Sequence, residues 1–546
     1  VYVAPYVLAV GHGAASPGVA TFTVDEPLYL TEARALREGR PSDWNPWTRT
    51  RGASADTYRV FAGALVPAAA WELTGLDRGL GLGIASGVAA ALAVLLTWRI
   101  LLRLLPPDRA RWAAALAPLA VLVPWGSMGE IAMLRLHWGD LGATLPLARP
   151  FTTQWGPVAF LLGLWTSIEC RARGGTAWTA GLSLTLLLQV WTFPYAVPLT
   201  LGTHLVTGML VRTPRAPSRR ILSVLAPLVA ALAGLAWAAT RSLPAELEAA
   251  ASTITAPRLG GSGMLLLALG ALSWIVRRRL RPETAPFLPV LCTLLTLGLV
   301  GGAILPARLQ LVHHMAYFVD ASLALTTLAL LPVLLPVLRP RLTGVAALAV
   351  LTLAVGYAGA AVAMAVRSRA PRHERHASWA RAMSQLPAGE GMTLLTEGED
   401  LDGPGAWAAL LSPLPVLYSV MSEYSTMPTL EDRQWRRAWY HHLRGLSSED
   451  VVREGEGIAR RFPRIFGAHN TAPAPQVLPS LTEKLRRIEE GSPAAVDVLR
   501  SFGTIVCVEA TGKETFRRDR LDRFLAPLER RDLPGARCTV YAVRGD

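Results

Sequence analysis

Over its first two thirds the chain alternates long apolar runs with short arginine clusters, and this alternation restricts the fold more than any other feature of the sequence. The apolar runs cover residues 79–105, 112–126, 153–168, 177–193, 195–211, 221–240, 262–276, 284–305, 316–338 and 342–366, with 1–17 ahead of them. A helix needs roughly 20 mostly apolar residues to cross hydrocarbon. The pattern predicts an α-helical polytopic membrane protein with about eleven transmembrane helices. Pro194 makes 177–211 either two tight spans or one kinked element. Residues 1–17 read equally as a first helix or as the remnant of a signal peptide.

The arginines gather at 99–111, at Arg171 and Arg173, at 212–220, at 277–281, and at Arg339 with Arg341, in every second connection. By the positive-inside rule these connections are cytoplasmic. The loops 18–78, 127–152, 241–261 and 306–315 then face outward, as does everything after 366. Two domains are expected: a transmembrane domain, 1–366, with a large first outward loop at 18–78, and an extracytoplasmic domain, 367–546. Composition agrees, since 51% of the 546 residues are hydrophobic and 17% charged, which is too apolar for an ordinary soluble surface. The net charge of +14 is almost wholly arginine, lysine occurring only at 484 and 513. Because those arginines punctuate apolar runs, they read as topology determinants and not as a nucleic-acid surface.

After residue 391 strand-like runs (GMTLLTE, TIVCVEA, CTVYAVRGD) alternate with helix-like ones (GAWAALLS, TLEDRQWRRAWYHHLRG), which predicts a small α/β domain. His441, His442 and His469 lack a metal-binding helix spacing and are expected at the surface. Cys507 and Cys538 lie in strand-like runs, where both a disulfide and two free buried thiols are consistent with the sequence. Thiol metal sites, P-loops, dinucleotide fingerprints and GxSxG elements are missing, and no cofactor follows from the residues.

The residues with chemistry lie in the outward loops. FTVDEPLYLTEARALREGRPSDWNPW opens with Asp25 and Glu26 and continues as a short amphipathic helix at the membrane surface, with Pro27 in its first turn. The two carboxylates serve either as helix caps or as a general base, and the roles are compatible. The second loop carries Glu130, Arg135, His137, Asp140 and Arg149. PARLQLVHHM brings Arg308, Gln310, His313 and His314 just outside a span, where they suit a phosphate or lipid headgroups. Asp320 lies a turn beyond Tyr317 within that span, while Gln189 and His204 read as helix-to-helix hydrogen-bond partners.

With Asp25-Glu26, the helix after them, RPFTTQW at 149–155, the LQLVHHMAYF run and a C-terminal domain, the chain resembles the GT-C superfamily of polytopic glycosyltransferases. The resemblance covers most of the chain by short motifs. It implies a bacterial cell-envelope transferase in the cytoplasmic (inner) membrane, moving a hexosyl or pentosyl group from a polyprenyl-phosphate sugar to a glycan, lipid or protein acceptor. Asp25 or Glu26 would be the base. Arg308, His313, His314 and Arg149 would bind the donor phosphate. A second acidic residue, Glu130 or Asp140, would help hold the acceptor or, as in some members, a divalent cation. Asn45-Pro46-Trp47 stands where some members have His-Pro-Pro, and the C-terminal domain has no WWD motif, which disfavours protein O-mannosylation and N-glycosylation. Two other readings stand beside this one: a transporter or lipid flippase, and a catalytically inactive GT-C-like envelope assembly factor.

Overall fold

The computed structural model describes residues 2–11, 26–39, 47–49, 65–66, 68–69, 72–73, 78–125, 147, 152–211, 217–239, 261–304, 316–334, 340–387, 389–398, 403–419, 430–453 and 478–544. Among the described residues the chain is mostly helical, with one small sheet near its C-terminus, and it divides into two compact units. The first comprises Val1–Leu8, Leu80–Thr240 and Ala256–Arg369; the second comprises Ala9–Gly79, Arg241–Thr255 and Ala370–Asp546.

Helix α1 (Ala4–Gly11) begins in the first unit and ends in the second, which also contains α2 (Glu26–Arg37). The apolar runs of the first unit form α3 (Arg78–Leu104), α4 (Pro107–Ala115), α5 (Leu119–Leu122), α6 (Thr152–Arg173), α7 (Thr176–Thr192), α8 (Ala196–Leu210), α9 (Pro217–Ala239), α10 (Gly261–Ile275), α11 (Phe287–Ile304), α12 (Ala316–Leu334) and the start of α13 (Pro340–Ser384). The expected span at 112–126 is broken, because Pro118 lacks the N–H that would continue α4 into α5. Around Pro194 there are two helices, α7 and α8. Helix α13 runs well past residue 366. The charged residues from Arg367 onward mark a change of surroundings, and their Ala, Arg and Glu content sustains the helix.

Among the described residues, Leu80–Leu104 and Gly344–Ala370 are long and apolar enough to cross a membrane, and five more apolar helices are shorter. On α13 Val345, Leu348 and Leu353 are 68%, 67% and 74% exposed. Leu184, Met209, Ile221, Val229, Leu232 and Met264 are also exposed, on α7, α8, α9 and α10. Water does not tolerate so large an apolar surface, whereas hydrocarbon does.

In the second unit lie β1 (Met392–Leu395), α14 (Pro404–Leu411), α15 (Leu430–Leu443), α16 (Leu478–Glu490), α17 (Pro493–Ser501), β2 (Thr504–Ala510), α18 (Arg518–Phe524), β3 (Leu525–Leu533) and β4 (Ala536–Val543). The sheet order is β1-β2-β4-β3, with β1 parallel to β2 and the other pairs antiparallel. Trp439, Tyr440, Leu481, Leu485, Leu499, Ile505, Phe516 and Leu525 belong to one core that joins the sheet to α15, α16 and α18.

Cys507 pairs across the ladder with Thr539, and Cys538 with Val508. Residues directly opposite share a face and successive residues alternate, so the two cysteines lie on opposite faces of the sheet. Both are free, buried thiols.

The expectation that His441 and His442 lie at the surface is corrected: they are 4% and 0% exposed. The reason is that α15 is central, with α16 and α18 both packed against it. Its basic residues find internal partners. Arg436 pairs with Asp432 at 3.0 Å and lies over the Phe502 ring, and Arg437 donates to His441 Nε2 at 3.2 Å. His469 falls outside the described residues.

Candidate functional site

Helix α2 begins at Glu26, the residue after Asp25; Asp25 itself and the Glu26 side chain fall outside what is described. The rest of the helix is firmly held. Tyr29, Leu30 and Ala33 are buried, Ala33 meets Ala68, and the helix packs against α14. Arg34 donates to the carbonyls of Leu410 and Ala409 at 2.7 and 3.3 Å, capping the end of α14, and pairs with Glu38 at 2.6 Å. Arg37 pairs with Glu72. Trp47, fully buried, donates through Nε1 to Ala406 O at 3.2 Å and accepts from Val416 N at 2.7 Å.

The amphipathic reading of this helix is therefore refined, because protein covers its apolar side. Its first turn offers N–H groups without helical partners and the positive end of the helix dipole.

The remaining site candidates, Glu130, Asp140, Arg149, Arg308, His313 and His314, lie outside the described residues. Asp320 is half-buried on α12, near enough to Tyr2 for electrostatic interaction, and Tyr2 donates to Val121 O at 2.5 Å. Among the described residues no group of three His, Cys, Asp or Glu side chains is arranged to hold a metal ion.

The polar interior of the first unit ties helices together. Gln189 donates to Ala159 O and Thr200 Oγ1, each at 2.9 Å. His204 shares a hydrogen bond with Ser167 at 3.0 Å and reaches Ser223 O at 3.1 Å. Both therefore bridge helices, as the sequence predicts. The buried Glu169 was not singled out by sequence reasoning. Arg103 grips it with two bonds of 2.7 and 3.1 Å, and Arg173 adds a third partner at 2.8 Å. The available signal was the i,i+4 spacing of Glu169 and Arg173.

In the second unit burial, reinforced by the positive charges of Arg520 and Arg523, lowers the His442 pKa to about 4, with Asp519 opposing. Its ring sits edge to face against Trp439 and Phe524, and neither nitrogen has a hydrogen-bond partner among the described residues. Burial also raises the Tyr440 phenol, whose oxygen accepts from Gly398 N at 2.8 Å.

No protein-family model matches the chain, and no curated protein matches its sequence. Among solved structures the chain is similar to ArnT from Cupriavidus metallidurans, a crystal structure in the apo state, at 14% identity and a TM-score of 0.49. The alignment covers 99% of this chain and 97% of that one. At that score the likeness assigns no role to any residue.

Proposed function

We propose that the chain is a multi-pass membrane glycosyltransferase of GT-C type, with about eleven spans, in a bacterial inner membrane. It moves a sugar from a polyprenyl-phosphate donor to a cell-envelope acceptor at the outer face. The observation that carries this reading is helix α2, which starts at Glu26 and is fixed through Arg34 to the end of α14. Asp25, with Glu26, takes the proton of an acceptor hydroxyl. The oxygen attacks the anomeric carbon, the bond to the phosphate oxygen breaks, and polyprenyl phosphate leaves with inversion. Arg308, His313, His314 and Arg149 meet the charge that develops on the phosphate, and Glu130 or Asp140 holds the acceptor.

Purified protein in lipid, given a panel of polyprenyl-phosphate sugars and envelope acceptors, is expected to release polyprenyl phosphate only when an acceptor is present. Folded protein that binds donors without consuming them would instead favour a transporter, a flippase or an inactive assembly factor.

A further inference from the structure

We propose that a groove between α8, α10 and α11 holds one anionic phospholipid of the inner leaflet, its acyl chain along the apolar walls and its phosphate at Arg277 and Arg278. The groove has a volume of about 500 Å³, and its lining includes Val206, Leu267, Gly270, Trp274, Pro289 and Leu294. Gly270 lets α10 approach α11, since a Cβ there would lie 2.8 Å from the Cβ of Cys292. The rim is open: Leu267, Trp274 and Ile275 are 40%, 44% and 72% exposed. An apolar channel open along one side admits a lipid tail from the bilayer.

Charge selects the headgroup. Trp274 lines the groove where α10 is about to end, and Arg277 lies 4.3 Å over its ring while donating to Trp274 O at 2.8 Å. The chain then makes one turn of 3-10 helix, Arg277–Arg279. Arg279 is engaged with Val333 O at 3.1 Å. Arg278 is exposed, and neither it nor Arg277 meets a carboxylate among the described residues. Arg277, stacked on a residue of the groove wall, and Arg278, the next residue of the chain, match a lipid phosphate; a neutral lipid headgroup would compensate them less well.

Other tryptophan–arginine pairs occur near the arginine clusters of the first unit, Arg99 over Trp98 at 4.8 Å and Arg173 over Trp178 at 5.6 Å, as suits a membrane interface. By the positive-inside rule this end faces the cytoplasm, away from the outward loops assigned to sugar transfer. The inference rests on the membrane-spanning reading and is independent of glycosyl transfer.

The test is native mass spectrometry of the full-length protein in detergent with added phosphatidylglycerol or phosphatidylcholine of the same acyl chains. The wild type is expected to retain one phosphatidylglycerol roughly tenfold or more over phosphatidylcholine. The double variant Arg277→Gln/Arg278→Gln loses that preference. Its side chains make no described bond between helices, so it is expected to fold. Ala271→Phe, filling the groove from its exposed side, lowers retention of both lipids. Equal retention by the wild type, or a preference that survives the double substitution, overturns the proposal. So does one-for-one displacement of phosphatidylglycerol by polyprenyl phosphate, which would make the groove part of the donor site.

Discussion

At the scale of single residues, burial decides the behaviour of the charged groups. His442 sits neutral among Trp439, Phe524 and the charges of α18, with a pKa lowered to about 4 from an ordinary value near 6.5. The unfolded chain takes up the proton first as pH falls. The stability that neutral His442 confers is therefore complete above about pH 6.5 and lost as pH drops toward 4, a change of about 3 kcal/mol. Hydrogen exchange at α15 is expected to accelerate across that window. In His442→Leu, which keeps the apolar packing and has no proton to gain, the acceleration should disappear. Glu169 is the opposite case, a buried charge with two partners. Glu169→Gln leaves Arg103 and Arg173 uncompensated and should cost about 3 kcal/mol, read as a lower midpoint of thermal unfolding in detergent.

At the scale of elements, what the sequence made legible was periodicity and what it concealed was context. Most of the apolar runs gave helices close to their expected positions, because hydrophobic length is a local signal, whereas 112–126 is divided at Pro118. The strands β1, β2 and β4 were legible for the same reason. Strand β3, LAPLERRDL, was not: most of it is exposed, so it carries no apolar alternation, and its pairing with β4 alone makes it a strand. Helix α15 misled in the other direction, since its arginines and histidines look solvated until neighbouring helices and rings enclose them.

The sheet also depends on glycine where β1 and β2 begin. Gly503 has φ +72°, and a Cβ there would collide with the carbonyl of Gly391, the acceptor for Thr504 N at 2.7 Å. Gly503→Ala should cost at least about 2 kcal/mol, with loss of exchange protection in β1 and β2. Protection left intact would mean that the strands adjust at little cost.

At the scale of the whole molecule, the first long loop and the C-terminal region share one compact unit, and the apolar helices form the other. Helix α2, which follows Asp25 in the chain, thus belongs to the unit that carries the sheet. Asp25 and Glu26 were legible in the sequence only through a family resemblance; what the structure adds is the anchoring of α2 through Arg34 and its packing on α14. Of the loop residues assigned to the phosphate, Arg308, His313 and His314 share one short run, and no local pattern relates that run to Arg149. The arginine pattern makes a separate prediction. Because the four cysteines are buried, single new ones can be followed cleanly. A membrane-impermeant maleimide added to intact spheroplasts should label Thr511→Cys, and should reach Ser218→Cys only after permeabilisation. The reverse pattern would invert the topology.

In the proposed reaction a carboxylate at the start of α2 activates the acceptor. The most direct test is acceptor-dependent release of polyprenyl phosphate by wild type, Asp25→Asn and Glu26→Gln, each checked for folding. Asp25→Asn is expected to lower the rate by roughly 100-fold or more, the contribution of a general base, with a smaller loss in Glu26→Gln. Undiminished release by both variants would contradict it and leave the two carboxylates as helix caps.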